Sequence, residues 1–160
     1  MFKNKSDNLK LLLNQNLKKS KIPYFIDFTV DEWINNDRNK ILSDLNNKLS
    51  KSICIRSAFA LEDKSNNSLA GKFESYLNIV NKKNNIIYFV NKIIKQYSKF
   101  DKNNLLNSKI FIQNYLSKTI LSGVVTNFNL HDGTPYYVIN YDDISRLTNT
   151  VTSGGKSGFR

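Results

Sequence analysis

The chain has 160 residues, of which 40% are hydrophobic, enough to bury the core of one domain or of part of a larger protein. Its single cysteine, Cys54, excludes an intramolecular disulfide, and the apolar run around it predicts a buried thiol. No signal-type segment follows Met1, and no apolar run reaches the length of a membrane span. We therefore expect a cytoplasmic protein without a membrane partner.

The chain is strongly basic, with 24 Lys and Arg residues against 13 Asp and Glu residues and a net charge of +11. Two interpretations are open: a binding surface for nucleic acid or another polyanion, or solvated lysines that reflect an A/T-rich genome. The basic residues form no single stripe with interleaved aromatic residues, which favours the second interpretation. A nucleic-acid partner is therefore not expected.

In chain order, the leucines of residues 9–17 recur on one face of a helix that begins near Ser6, and a strand is expected over residues 22–28. Thr29 and Glu32 have the spacing of a capping box. Helical periodicity then extends from Trp33, a packing residue in this interpretation, to Leu49.

The apolar runs at residues 52–57 and 110–116 predict further strands. Between them an apolar run resumes at residues 76–80, and a helix is expected after it that ends before Asp101. After residue 116 the pattern changes to an antiparallel meander, with a hairpin turn at Asp132-Gly133. The tyrosines of residues 136–141 are explained by packing in this meander. The fold class predicted from these elements is α+β.

Arg56 lies near the end of a predicted strand, before a loop that contains Ser, Ala and Gly. A guanidinium group and the amides of such a loop suit a phosphate group. On spacing alone, however, a strand-end arginine is more often a surface ion-pair partner.

The residues around Arg56 resemble a known family. Residues 55–58 (Ile-Arg-Ser-Ala), 62–63 (Glu-Asp) and 68–78 are similar to the "VRSSA…ED…SFAGQYESYLN" signature of the ATP-binding domain of phosphoenolpyruvate synthase and pyruvate phosphate dikinase. Residues 112–116, 122–126 and 151–154 resemble the "VQ-x-M-V", "SGV-x-F-T" and "VVSG" blocks that follow in that family.

The resemblance implies the N-terminal portion of an ATP-grasp domain, in which ATP lies between two α+β subdomains. Residues 1–116 would form the first subdomain, and residues 117–160 the incomplete, β-rich start of the second. The residues that match the family's ATP-binding positions are Lys5, Arg56, Ser68, Ala70 and Gly71 for the phosphates, and Gln113, Asn114, Tyr115 and Leu116 for the adenine pocket. Around Lys5, Lys3-Asn4 replaces two glycines of the family's "GGK-x-x-x-L" motif.

The family's acidic pair for Mg²⁺ lies beyond the "VSG" block, and its phosphorylatable histidine lies in a separate domain. We therefore expect these partners outside the 160 residues, and no turnover by these residues alone. His131, beside the predicted turn, is interpreted as a solvated loop residue, and the acidic doublets Glu62-Asp63 and Asp142-Asp143 as turn residues.

The sequence thus predicts the ATP-binding portion of a kinase or transferase similar to phosphoenolpyruvate synthase. Such an enzyme would cleave ATP to AMP and phosphate with Mg²⁺ and pass the phosphoryl group through a histidine to an acceptor such as pyruvate or L-glutamine. Residues 22–33 resemble relatives associated with surface-polysaccharide modification, which include glutamine kinases. The alternative function is a non-catalytic basic binding module, for which nucleic acid is the candidate ligand.

Overall fold

The computed structural model of the chain describes residues 4–59, 73–129, 132–147 and 151. The elements in chain order are α1 (Lys5–Leu13), β1 (Phe25–Thr29), a π-helical turn (Glu32–Asn36), α2 (Arg38–Lys48), β2 (Ser52–Ala58), β3 (Tyr76–Val80), α3 (Lys83–Phe100), β4 (Lys109–Asn114), β5 (Ser122–Thr126) and β6 (Val138–Asp142). This mixture of helices and antiparallel strands is the predicted α+β class.

The chain divides into two compact units, Met1–Tyr115 and Leu116–Arg160. The boundary lies one residue before the one expected from the sequence. Whether the units are the two subdomains of an ATP-grasp domain stays a prediction.

The first unit contains a four-stranded sheet in the order β1-β4-β2-β3, and every pair of neighbouring strands is antiparallel. Its central strands are rich in isoleucine, a β-branched residue that suits a pleated, buried surface. Ile53 and Ile55 of β2 and Ile110 and Ile112 of β4 are all fully buried. Because side chains alternate along a strand, these residues project to one face of the sheet.

Helices α2 and α3 cover this isoleucine face. The buried residues of α3 (Ile86, Val90, Ile93 and Tyr97) recur at helical spacing, and α2 contributes Ile41, Leu42 and Leu45 to the same core cluster. The prediction of a helix that ends before Asp101 is thereby confirmed.

Trp33 is a fully buried packing residue, as predicted from the sequence. Its ring stacks on Phe28 with centroids 5.3 Å apart, and its Nε1–H donates a hydrogen bond to the side chain of Asn91. The predicted capping box also forms, because Glu32 accepts a hydrogen bond from the Thr29 N–H and its own N–H donates to the Thr29 hydroxyl group.

Two helix predictions need correction. The helix that was expected to run from Trp33 to Leu49 is interrupted at Asp37, whose φ of −123° is not helical, and Ile34 is half exposed. Helix α1 ends at Leu13, so Leu17 lies outside it. The leucines of α1 are not buried, since Ser6 is the buried residue of this helix.

The second unit contains a two-stranded antiparallel sheet of β5 and β6. Gly133 has a φ of +72° in the segment that connects the two strands, as a turn at Asp132-Gly133 requires. Tyr136 and Tyr137 are 69% and 79% exposed, so packing does not account for them as expected. His131 and most of residues 147–152, the expected last strand of the meander, lie outside the described residues.

In the described part of the chain, no helix combines the length and apolar character needed to cross a membrane.

Candidate functional site

A charged face of the sheet lies opposite the isoleucine face. The register pairs Asp27 of β1 with Phe111 of β4, and Phe111 with Arg56 of β2, so these three side chains form a row across three strands. The adjacent row includes Lys109, two residues before Phe111. We call the side of the sheet that carries Asp27, Arg56, Lys109 and Phe111 the charged sheet face. All four alternate along their strands with buried residues of the opposite face.

Arg56 contacts the aromatic ring at the centre of this face. Its guanidinium carbon lies 5.6 Å from the centroid of the Phe111 ring, and Phe111 is buried with Phe25 edge-on at 6.0 Å. Among the described residues, Arg56 forms an ion pair with no carboxylate. A contact with a ring face uses no N–H donor, so the guanidinium group retains its hydrogen-bonding capacity for an anion.

Lys109 lies diagonally across the strand pair from Arg56. Such neighbours on one face are about 7–8 Å apart at the backbone. At this separation the cations of two long side chains can contact the same anion. The Lys109 ammonium group forms an ion pair of 2.7 Å with Asp7 of α1 and lies 3.8 Å from Asp27.

The pKa of Lys109 reflects these neighbours. Partial burial alone would lower it, but the hydrogen bond and charge of Asp7, with the charges of Asp27 and Glu32, outweigh burial and raise the pKa above its ordinary value. Lys109 is therefore a cation at neutral pH.

Asp27 is the buried carboxylate of this face, with a side chain that is 8% exposed. Its Oδ1 pairs with Lys10 of α1 at 2.6 Å, whereas its buried Oδ2 accepts no hydrogen bond in the described part of the chain. Two ion pairs, Lys10–Asp27 and Asp7–Lys109, thus join α1 to the sheet.

The structure brings together only some of the residues matched to ATP binding. Arg56 and Gln113 share the charged sheet face, and Lys5 begins α1, the helix that is ion-paired to this face. The predicted phosphate loop with Ser68, Ala70 and Gly71 lies outside the described residues, as does Glu62-Asp63.

Two of the other predicted adenine-pocket residues, Asn114 and Tyr115, form hydrogen bonds with the segment around Ser50 and Ser52. The side chain of Asn114 accepts a hydrogen bond from the Ser50 N–H at 2.7 Å, and the Tyr115 N–H donates to the Ser52 carbonyl oxygen. Leu116 is exposed and begins the second unit. Of the four, Gln113 is the residue whose side chain projects from the charged sheet face.

Sequence reasoning missed Lys109, Asp27 and Asp7. The alternation of Ile110 and Ile112 with their neighbours already indicates that Lys109 and Phe111 project away from the core. The ion pair between Asp7 and Lys109 joins residues 102 positions apart, and no local pattern predicts such a pairing.

The chain matches no protein-family model, no curated protein and no solved structure. The similarity of residues 55–78 to the phosphoenolpyruvate synthase family therefore stays a prediction.

Neither a metal site nor the described cavity near α2 and α3 competes with this face. Across the described ranges, no group of three or more His, Cys, Asp or Glu side chains could hold a metal ion. A shallow cavity of about 280 Å³ is lined by residues of α2 and α3, including Asn39, Asn46 and Lys83. Its polar lining consists mainly of one lysine and several amide side chains, which favour no particular class of ligand.

Proposed function

We propose that the charged sheet face binds the phosphate groups of ATP, with Arg56 as the principal contact and Lys109 as the second cation. The observation that carries this proposal is the position of Arg56, beside Lys109 and without an ion-pair partner among the described residues. Guanidinium groups bind phosphate oxygens through two parallel hydrogen bonds, and an ammonium group adds a point charge.

The sequence resemblance extends this proposal to a reaction class. The first unit would be the N-terminal part of an ATP-grasp domain in a phosphotransferase similar to phosphoenolpyruvate synthase. In the intact enzyme, ATP would yield AMP and phosphate, and a histidine of another domain would pass the phosphoryl group to an acceptor such as pyruvate or L-glutamine. The contribution of this chain is to hold the nucleotide, because phosphoryl transfer depends on positioned cations around the developing charge.

The described residues fit the phosphates of ATP but not its Mg²⁺ ion. Asp27, the carboxylate of the charged sheet face, is paired with Lys10 and approached by Lys109, and the described ranges place no third metal ligand beside it and Asp7. The proposed role of the described residues is therefore limited to holding the nucleotide.

The proposal is tested by titrating the protein with ATP in the presence of a chelator and measuring heat of binding and thermal stability. Binding to the folded state raises the melting temperature with ligand concentration. Arg56→Ala is expected to abolish both signals, and Arg56→Lys to restore them only in part, because lysine lacks the bidentate fork.

Arg38 provides a matched control. Its guanidinium carbon also lies over an aromatic ring, 5.3 Å from the centroid of Trp33, but Arg38 is on α2 and away from the charged sheet face. Arg38→Ala should bind ATP like the unmodified protein.

Equal affinity of Arg56→Ala and the unmodified protein for ATP would refute the phosphate assignment. Steeply salt-dependent binding to oligonucleotides instead would favour the basic binding module.

A further inference from the structure

Two ion pairs contribute to holding helix α1 on the sheet. Its buried residue is the polar Ser6, and Leu11, Leu12 and Leu13 are each about half exposed. The ion pairs Asp7–Lys109 and Lys10–Asp27 join the side chains of α1 to the strands. Ion pairs of this partly exposed kind weaken when another anion or cation competes for a partner.

These four charges cancel one another. Lys10 and Lys109 supply two positive charges, and Asp7 and Asp27 supply two negative charges. The positive potential that a phosphate group meets on the charged sheet face therefore comes from Arg56. Glu32 adds a further negative charge that acts on Lys109, so removing the charge of Asp7 makes the surroundings of Lys109 and Arg56 more positive by one unit.

We propose that Asp7 has an autoinhibitory role, because its ion pair with Lys109 competes with phosphate binding. A polyphosphate bound at Arg56 then displaces the Asp7 carboxylate from Lys109 and loosens α1. This inference rests on the proposed function. Its physical basis is that the Asp7 carboxylate and a phosphate group would compete for the same N–H donors of the Lys109 ammonium group. Two anions beside one ammonium group would also repel each other. Loss of Asp7–Lys109 removes one of the two ion pairs that join α1 to the sheet, and the half-exposed Leu11, Leu12 and Leu13 add little apolar burial in compensation.

Asp7→Asn is the variant that separates this role from a structural one. Asp7 also accepts a hydrogen bond from the side chain of Asn4, the N-cap of α1, and its N–H donates to the same side chain. Asparagine keeps the size of the side chain and an oxygen acceptor, so the cap can persist while the charge is lost. Asp44→Asn is the matched control, because Asp44 forms an exposed ion pair with Lys48 within α2.

The first experiment measures binding of inorganic tripolyphosphate by calorimetry, with a chelator present and at constant ionic strength. Asp7→Asn is expected to tighten binding roughly three- to tenfold, and Asp44→Asn to change it less than about twofold. In a Lys109→Ala background, Asp7→Asn should lose its effect, because the contested partner is gone. The same gain in that background would overturn the inference, since it would show only general repulsion.

The second experiment measures amide hydrogen exchange in α1. Tripolyphosphate should accelerate exchange of the α1 amides in the unmodified protein, whereas sodium chloride of equal ionic strength should do so less. Unchanged exchange at saturating tripolyphosphate would overturn the inference.

The two proposals fail in different ways. Binding that depends on Arg56 but is equal in Asp7→Asn and the unmodified protein overturns the autoinhibitory role alone. Absence of binding in both the unmodified protein and Asp7→Asn overturns both proposals. Binding that is detectable only in Asp7→Asn supports a strong autoinhibitory contact.

Discussion

The hydroxyl group of Tyr97 donates a hydrogen bond of 2.7 Å to the carbonyl oxygen of Lys109. The same hydroxyl group accepts a hydrogen bond from the Ala58 N–H at 2.9 Å. Ala58 and Lys109 are the last pair in the register of β2 with β4, so one side chain of α3 connects the two strand ends. These ends carry the backbone of Lys109 and lie close to Arg56.

Tyr97→Phe should destabilise the first unit by about 1–3 kcal/mol, because it leaves a buried N–H group and a partly buried carbonyl oxygen without this partner. The free energy of unfolding can be measured by urea denaturation, followed through the fluorescence of Trp33. Tyr88→Phe is the control, since Tyr88 is on the same helix but 55% exposed. If the two variants lose the same free energy, the hydroxyl bridge is not what holds the strand ends.

Glu32→Ala should destabilise the protein by about 1 kcal/mol through loss of the capping box with Thr29. Glu32→Gln keeps an oxygen acceptor and should retain most of this free energy. Denaturant unfolding of the three proteins distinguishes the cases. Equal stability of Glu32→Ala and the unmodified protein would contradict a stabilising cap.

Sequence periodicity was sufficient for the elements whose burial is one-sided and strong. Strands β2 and β4 and helix α3 have isoleucines or valines at regular intervals, and each lies close to its predicted position. In these elements the local pattern and the tertiary burial agree.

At α1 the same reasoning predicted the helix and its start near Ser6 but not its end or its exposed leucines, because a leucine pattern does not reveal whether an apolar partner exists. Asp7 and Lys10 of this helix form ion pairs with strands that are distant in the sequence. The candidate site shows the same division. Arg56 is predicted from its place near the end of a strand, before a loop that contains Ser, Ala and Gly, whereas its neighbours depend on a strand order that local patterns do not encode.

The Cys54 thiol should react slowly with alkylating reagents in the folded protein. Burial raises the pKa of this thiol, and a hydrogen bond with the backbone of Asn78 and the charge of Arg56 offset only part of that effect. Since the thiolate is the reactive form, alkylation at about pH 8 should be more than ~10-fold slower in the folded than in the urea-unfolded protein.

The same shift has a consequence for stability. The folded state has the higher thiol pKa and so holds the proton more tightly than the unfolded state. The resulting stabilisation is complete below the unfolded pKa of about 8.5 and is lost as the pH rises through the folded-state pKa. Cys54→Ala should remove this component of the alkaline loss. Rapid alkylation of the native protein, or an identical alkaline profile in Cys54→Ala, would contradict the effect of burial.

Gly123→Ala should disrupt the hairpin of the second unit. Gly123 pairs with Tyr141, and a Cβ atom added at Gly123 would lie 2.7 Å from the carbonyl oxygen of Asn140 and 3.2 Å from the Cβ of Tyr141. The first contact is with backbone, so β5 or β6 must move, at a cost of about 1–3 kcal/mol. A two-stranded sheet is only marginally stable, so the pairing of β5 with β6 should open.

Amide exchange of the β5 and β6 residues, resolved by NMR, measures this opening separately from the first unit. Val125→Ala is the control, because Val125 is on the same strand and 61% exposed, and its truncation creates no clash. Gly123→Ala should accelerate exchange in β5 and β6 while the amides of β2 and β4 keep their protection, since the substitution lies in the other unit. Protection of β5 equal to that in Val125→Ala would show that the two strands accommodate the methyl group, and that close approach is not why glycine stands at this position.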